Sequence, residues 1–404
     1  MITVAEADAI LQARCRAFGI AELTLAEAVG RVLAEPLIAD RDFPPFHRVA
    51  MDGFALDWAA VQAGQRRFEV VHTQRAGMPA VALPKSGVAV EVMTGAVLPV
   101  GATVVVRVED VELEQQGERR FIALKSIPEK IWQNVHQQGI DRRQGETIVP
   151  QGRMLSPAEI AVAAAIGKVT VHVYAHPRIA IVSTGDELVE ISETPLPHQI
   201  RRSNAAMLQA FLRARGLECK LFHTGDASEA MHQCFADLLQ DYDVIISTGS
   251  VSAGEVDILP SVLQELGVEV HFHKVAQRPG KPMLFGQTQT CTVFALPGNP
   301  VSAVLCFLRY VWRWICAAQG QEKSKPLFAQ LTEPVVFKPK LTYFLPVRLA
   351  VSSEATLLAE PLAGHGSGDF ANLVDCDGFL ELPAEKSEFV KGEAHPVWLY
   401  RDWC

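Results

Sequence analysis

The sequence predicts a multidomain α/β protein: a doubly wound, mostly parallel α/β domain, a helical segment, an inserted β-rich unit and a small β domain. Three observations predict it. Strand-like and helix-like runs alternate from about residue 174 to 322, the pattern of a parallel sheet with helices on its faces. Short runs rich in β-branched residues, broken by Gly and Pro, fill the preceding stretch. Period-2 runs such as "TYFLPVRLAV" return after it. With 404 residues, 49% hydrophobic and 21% charged, the chain can support several domains with their own cores.

The elements follow in order. Thr3 with Glu6 and Thr24 with Glu27 have capping-box spacing ahead of helical runs. Residues 1–18 are expected to form a helix packed on the α/β domain, and 19–45 with 140–173 a helical linker domain. "FEVVHT", "GVAVEVMTG", "ATVVVRVED" and "RFIALKS" make residues 46–139 a β-rich unit. In "SPAEIAVAAAIG", Ser156 is the N-cap, Pro157 follows at N1, Glu159 sits at N3 and Gly167 stops the helix. The β unit is therefore read as an insertion between two helical pieces. Residues 174–322 form the α/β domain. "RIAIVST", "LECKLFHTGD", "DVIISTGS", "VEVHFHKV" and "TCTVFALPGNP" are its strands, and "SNAAMLQAFLRARG", "SEAMHQCFADLLQD" and "ILPSVLQELG" are its helices. Residues 323–404 form the last β domain.

Composition narrows the function. A net charge of −9 argues against a general nucleic-acid binder. The eight cysteines contain no C-x-x-C pair, so neither a zinc site nor a dithiol motif is indicated, and free thiols fit a reducing compartment. "MITVAEADAI" lacks the basic and apolar regions of a signal peptide, so the cytoplasm is expected. The apolar stretch from Val301 contains Arg309 and Arg313 and reads as a buried helix, so no membrane association is expected.

In an open α/β sheet, ligands bind beyond the carboxyl ends of the strands. Three predicted strands end alike: Thr184-Gly185-Asp186-Glu187, Thr224-Gly225-Asp226, and Thr248-Gly249-Ser250 followed by Glu255 and Asp257. Glycines let a ligand approach the backbone, whose amides bind phosphate, and carboxylates beside phosphates suit Mg²⁺. One such turn alone is ordinary strand-end chemistry. No Walker P-loop, G-x-G-x-x-G or HExxH occurs. "QRPGKP" sets Arg278 and Lys281 around a Pro-Gly turn with no neighbouring acid, either a solvated loop or one wall of an oxyanion pocket. In "LPGNPVSA", Pro297 and Pro300 stiffen a turn into a helix whose N-terminus and Ser302 suit an anion; a plain capped turn has the same residues. "AMDG" (Asp52) and "MTG" (Thr94) are by spacing only turns.

Taken together, "AMDGFA", "MTGAVLPVGATVVVRVED", "STGDEL", "SNAAML", "ISTGSVSAGEVD", "RPGKPMLFG" and "LPGNPVSA" occur in one order across most of the chain. The sequence resembles the MoeA/gephyrin E-domain family, the molybdopterin molybdenumtransferases. That resemblance implies a C-terminal β-barrel, an α/β domain like that of the molybdopterin adenylyltransferases, and a cytoplasmic homodimer with an active site shared between subunits. It implies Mg²⁺-dependent insertion of molybdenum, from molybdate, into adenylylated molybdopterin with release of AMP. By it, Asp52, Thr94, Glu187, Asp226 and Asp257 are catalytic, with Asp226 and Asp257 on Mg²⁺. Lys274, Arg278, Lys281, Ser302, Arg348 and Ser367, with Gly249, Ser250, Pro297 and Pro300, bind molybdopterin and molybdate. A molybdopterin adenylyltransferase and molybdoenzyme chaperones are the implied partners. Three positions depart from the family pattern: Arg278 stands where lysine is usual, Ser250 where glycine is usual, and His47 where aspartate is common. A nucleotidyl-transfer enzyme on the same α/β module and a non-catalytic scaffold are the competing readings.

Overall fold

Ile179–Thr184 is six residues long and every one is buried, as expected of a strand covered on both faces. Val244–Thr248 and Thr292–Leu296 are the same. These runs are the centre of one of three six-stranded sheets. The computed structural model describes residues 1–251, 258–321, 326–362, 366, 368 and 373–401, and they fall into two compact units. The first unit is residues 1–34, 152–156 and 172–404; the second is 35–151 and 157–171.

The first unit begins with α1 (Val4–Ala13), whose Thr3 and Glu6 form the predicted capping box. Then β1 (Ile179–Thr184), α2 (Ser203–Arg213), β2 (Cys219–Thr224), α3 (Ser228–Asp241), β3 (Val244–Thr248), α4 (Leu259–Glu265) and β4 (Glu269–His273) alternate as expected. They are followed by β5 (Gln277–Arg278), β6 (Leu284–Gln287), β7 (Thr292–Leu296) and the long helix α5 (Pro300–Ala318). The sheet order is β2-β1-β3-β7-β6-β4. The first four strands are parallel, and β6 runs antiparallel to both its neighbours, β7 and β4. The antiparallel edge comes from β6, a short run that the sequence pattern left unassigned.

Helix α5 passes through a π-helical turn at Phe307–Trp312. It is long and apolar enough to cross a membrane, yet 78% of its most apolar window is buried inside the protein, as its two arginines suggested. Beyond it, β8 (Leu327–Leu331), β9 (Thr342–Val351), β10 (Leu357–Pro361), β11 (Gly378–Leu382) and β12 (Ala394–Leu399) close into a five-stranded barrel, β9-β10-β8-β12-β11 and back to β9. Its interior holds Leu345, Val347, Leu349, Leu380 and Phe389. The barrel joins the α/β domain through β5, which pairs in parallel with β9.

One expectation fails in this unit. Thr24 and Glu27 make their mutual hydrogen bonds, at 3.2 and 2.7 Å, but they close a turn after the strand Ile20–Thr24. No helix follows, because Gly30 at φ +78° and then Pro36 interrupt the run. The capping pair is a local motif that ends with its own turn.

In the second unit, six strands are ordered Val104–Arg107, Gly53–Leu56, Val88–Val92, Arg67–Gln74, Arg119–Leu124, Val111–Gln116. Phe54, Phe68 and Ile122 fill one face and Val90, Val92 and Val105 the other. The predicted helix after Ser156 spans Pro157–Ala165.

Candidate functional site

Register brings the strand ends level. Thr184 lies opposite Thr224, Ser183 opposite Thr248, and Thr248 opposite Leu296. The turns that follow therefore share one edge of the sheet. They are also hydrogen-bonded to each other. The Asp226 amide donates to Asp186 Oδ1 at 3.1 Å, and the Asp186 amide to Asp226 Oδ2 at 3.4 Å. This exchange joins two Thr-Gly-Asp turns on neighbouring strands. Gly225 is needed for it, since a Cβ there would stand 2.3 Å from Asp186 Oδ1, and Gly185 takes a φ of +138° that a side chain rarely adopts. Glu187 folds back over its own turn and is exposed, with no partner for its carboxylate among the described residues.

The third turn packs against the first. Thr184 Oγ1 donates to the Thr248 carbonyl at 3.2 Å, and the Gly249 amide to the Leu296 carbonyl at 3.1 Å. Gly249 has φ +102°, and a Cβ there would meet the Thr184 carbonyl at 2.5 Å, so only glycine fits. Ser250 follows at φ +45°, in the left-handed region that disfavours a side chain. Its hydroxyl donates to Asp226 Oδ1 at 2.8 Å. The Ser250 side chain therefore has a local use: it fixes the Asp226 carboxylate. Ser250→Gly and Ser250→Ala both remove that bond, and only Ala keeps the left-handed strain. Ser250→Gly is expected to be the more stable of the two by about 1 kcal/mol in chemical unfolding; the reverse order would contradict this.

The loop into α5 completes this edge. Gly298 lies against Gly249, with 3.6 Å between the latter's Cα and a Cβ built on Gly298. Asn204, at the start of α2, donates from Nδ2 to the Gly298 carbonyl at 2.7 Å. Pro297 is buried and Pro300 half-buried, consistent with a shape-setting role.

The cationic turn sits on the other side of the start of α5. Gln277 is fully buried, whereas Arg278 and Lys281 are exposed. Gly280 at φ +85° turns the chain, and a Cβ there would be 2.5 Å from Cys306 Sγ. Gln277 Nε2 donates to the Gly280 carbonyl at 3.3 Å. Arg278 lies opposite Tyr343 of β9, whose phenol burial pushes up and Arg278 pulls down. Lys274, at φ +77°, is held by backbone bonds to Met283 and Ile2. Among the described residues, no side-chain partner pairs with Lys274, Arg278 or Lys281.

Two expected contributors are placed differently from the exposed cations. Ser302 is 3% exposed, so it backs the turn from inside instead of offering an open hydroxyl. Arg348 lies five residues after Tyr343 on β9, about 16 Å along a strand. There it meets Asp375, with Nη2 at 3.8 Å from Oδ1 and Nε donating to the Asp375 carbonyl at 3.4 Å. Both side chains are at least half exposed, so this is a weak surface pair. Asp257 and Ser367 lie outside the described residues.

In the second unit, the Thr94 amide and hydroxyl both donate to Asp52 Oδ1, at 2.6 and 2.8 Å. The backbone bond, then the hydroxyl, holds the Asp52 carboxyl below its ordinary value of 3.8. These bonds contribute stability above that value, and the contribution is lost as pH falls through the lowered one. Gly53 lets the neighbouring strand pass: a Cβ would be 1.9 Å from the Val106 carbonyl. Two motifs that spacing alone read as turns are thus one hydrogen-bonded pair. His47 accepts from the Gln138 amide at 3.1 Å and packs on Trp132.

Sequence reasoning placed Asp186 in a strand-end turn without a role of its own, and gave none to Asn204, Gln277 or Tyr310. The repeat of Thr-Gly-Asp on adjacent parallel strands was the available signal for Asp186, because equal strand ends put equal turn positions side by side. The other three act through tertiary contacts that no local spacing encodes. Among the described residues, no group of three or more His, Cys, Asp or Glu side chains gathers as a metal site. What is present is a pair of carboxylates, Asp186 and Asp226, with oxygen donors only.

Family models match in three consecutive pieces. "MoeA N-terminal region (domain I and II)" covers residues 2–167, "Probable molybdopterin binding domain" residues 180–315, and "MoeA C-terminal region (domain IV)" residues 329–400. A molybdopterin molybdenumtransferase of Synechocystis sp. is 40% identical over 99% of this chain and 100% of its own. One of Haemophilus influenzae is 31% identical over 92% of this chain and 91% of its own. The crystal structure of a molybdopterin biosynthesis MoeA protein from Pyrococcus horikosii has a TM-score of 0.83 at 29% identity, covering 100% of both chains.

Proposed function

We propose, for a chain that belongs to the molybdopterin molybdenumtransferase family, that it inserts molybdenum from molybdate into adenylylated molybdopterin and releases AMP. It is a transferase of molybdenum cofactor biosynthesis. The proposal concerns its substrates and the residues that hold them. The observation that carries it is the Gln277–Lys281 turn, which presents Arg278 and Lys281 to solvent with no acid partner among the described residues.

Molybdate is a tetrahedral dianion. Arg278 would grip two of its oxygens through the guanidinium fork, and Lys281 would add a point charge. Lys274, on its strained backbone, would serve the same substrates. The phosphates of adenylylated molybdopterin would lie along the strand ends, against the backbone at Gly249 and Ser250. Gly185, Gly225 and Gly249 let the three turns pack closely on one another along that edge. Glu187, exposed and unpartnered among the described residues, faces the same edge as an acceptor for substrate hydroxyls or amines.

The all-oxygen donor set fits Mg²⁺, which binds through one or two carboxylates and substrate phosphates. Asp226 would hold it with Asp257, and Asp186 lies beside Asp226. When bound, the ion withdraws charge from the phosphoanhydride. Ser250 keeps Asp226 in one orientation for that role. The metal's sulfur ligands come with the pterin substrate, so the protein needs no cysteine nucleophile. Its described cysteines are all free thiols, and burial pushes Cys291 and Cys316 up to about 12. The proposal includes a homodimer in which a second copy supplies Asp52 and Thr94.

The test is reconstitution. Purified protein with adenylylated molybdopterin, molybdate and Mg²⁺ is expected to release AMP in step with formation of active cofactor, and chelation of Mg²⁺ to stop both. AMP release without molybdate, or cofactor formation from unadenylylated molybdopterin at the same rate, would reject the reading.

A further inference from the structure

The turn that carries Arg278 and Lys281 rests on a buried polar cluster that the reaction itself does not use. Gln277 is fully buried, and its side-chain amide is engaged at both ends. Nε2 donates to the Gly280 carbonyl at 3.3 Å and reaches Cys306 Sγ at 3.6 Å. Oε1 accepts from the Tyr310 hydroxyl. Tyr310 is fully buried, and burial keeps its phenol protonated, so it is a donor at all working pH values. A buried amide engaged at both ends has one orientation, because turning it over would leave polar atoms unpaired.

The π-helical turn of α5 sets Tyr310 in this position. Its neighbour Arg309 points elsewhere, to Asp8 of α1 and Glu381 of the barrel. One helical turn therefore ties the cationic turn, the N-terminal helix and the barrel together. On its other side, the cationic turn pairs with β9. Both supports meet at Gln277 and Arg278, so the direction of the Arg278 side chain follows from what holds Gln277.

We infer that Gln277 and Tyr310 are positioning residues for the oxyanion: their buried hydrogen bond sets the geometry of the turn that presents Arg278 and Lys281. This rests on the proposal that the turn binds molybdate. Neither residue touches the anion. Each acts by holding the backbone between the two cations, where a small displacement separates charges that must converge on one tetrahedral ion.

A double-mutant cycle tests it. Tyr310→Phe keeps the ring and removes the hydroxyl, and Gln277→Met keeps the volume and removes the amide. The KM for molybdate, kcat and thermal melting are measured for each single variant, the pair, the parent and Arg278→Ala. Each single variant is expected to raise the molybdate KM roughly tenfold or more with kcat nearly unchanged. The pair should resemble Gln277→Met alone, because the hydroxyl then has nothing to hold. General loosening would instead lower the folded fraction, and so kcat, at constant KM. An unchanged KM in Tyr310→Phe, or effects that multiply in the pair, would overturn the inference. If Arg278→Ala raises KM and Tyr310→Phe does not, the inference alone fails. If Arg278→Ala leaves KM unchanged, the molybdate site itself is wrong and the inference falls with it.

Discussion

Arg278→Ala is expected to lower kcat/KM for molybdate by roughly 10²–10³-fold, the usual effect of removing one preorganised charge donor. Melting should stay within a few degrees of the parent. Arg278 is exposed and has no ion-pair partner among the described residues, so its removal costs little folding energy. The contrast between lost activity and kept stability is the signature of a cation whose counter-charge arrives as substrate. Arg278→Lys should fall between the parent and Arg278→Ala: the charge remains while the fork is lost. Steady-state kinetics with varied molybdate, beside a melting curve, measures both. Equal losses of stability and activity would mean that the side chain is structural.

Arg309→Met should act in the opposite way, on stability. Arg309 is 4% exposed, while its partners Asp8 and Glu381 are 38% and 19% exposed. Burial opposes its charge, yet the Asp8 hydrogen bonds and the Glu381 carboxylate raise its pKa above the ordinary arginine value. The guanidinium donates to both Asp8 oxygens, at 2.6 and 2.8 Å, and to Glu381 at 3.1 Å. Trp398 donates to the same Glu381 oxygen at 2.6 Å, and its ring lies 4.6 Å beneath the guanidinium. Truncation leaves Glu381 without its cation and Asp8 with only the more exposed Arg313. Breaking a buried pair costs ~3–5 kcal/mol, and the half-exposed Asp8 argues for the lower end, about 3 kcal/mol. Arg313, 3.3 Å from Asp8, softens the loss on that side. The variant's unfolding midpoint should drop accordingly, and Asp8→Asn with Arg309→Met should recover part of it. A shift below about 0.5 kcal/mol, the ordinary range for surface substitutions, would contradict this account of the cluster.

The parallel core was legible because β1, β3 and β7 are continuous apolar runs, a pattern that needs both faces covered. The barrel strands showed as period-2 runs, while their closure depends on β9 pairing with both β10 and β11 across long loops. Nothing in a local window encodes that. The Thr24 pair misled for the same reason: its hydrogen bonds form, but the residues after it cannot continue a helix. At the site, strand-end turns were readable from Thr-Gly-Asp, and the cations from the lack of a nearby acid. Arg348 was assigned by resemblance alone, and Ser302 also from its place at a helix start. In the structure Ser302 is enclosed by packing and Arg348 is engaged by Asp375. Gln277 and Tyr310 lie 33 residues apart, and only the fold brings them together.

A crystal of this protein soaked in tungstate, measured at the tungsten edge, addresses the molybdate site most directly. The account predicts an anomalous peak within hydrogen-bonding distance of both Arg278 and Lys281, lost in Arg278→Ala. A peak elsewhere, with the Gln277–Lys281 turn empty at saturating oxyanion, would contradict it.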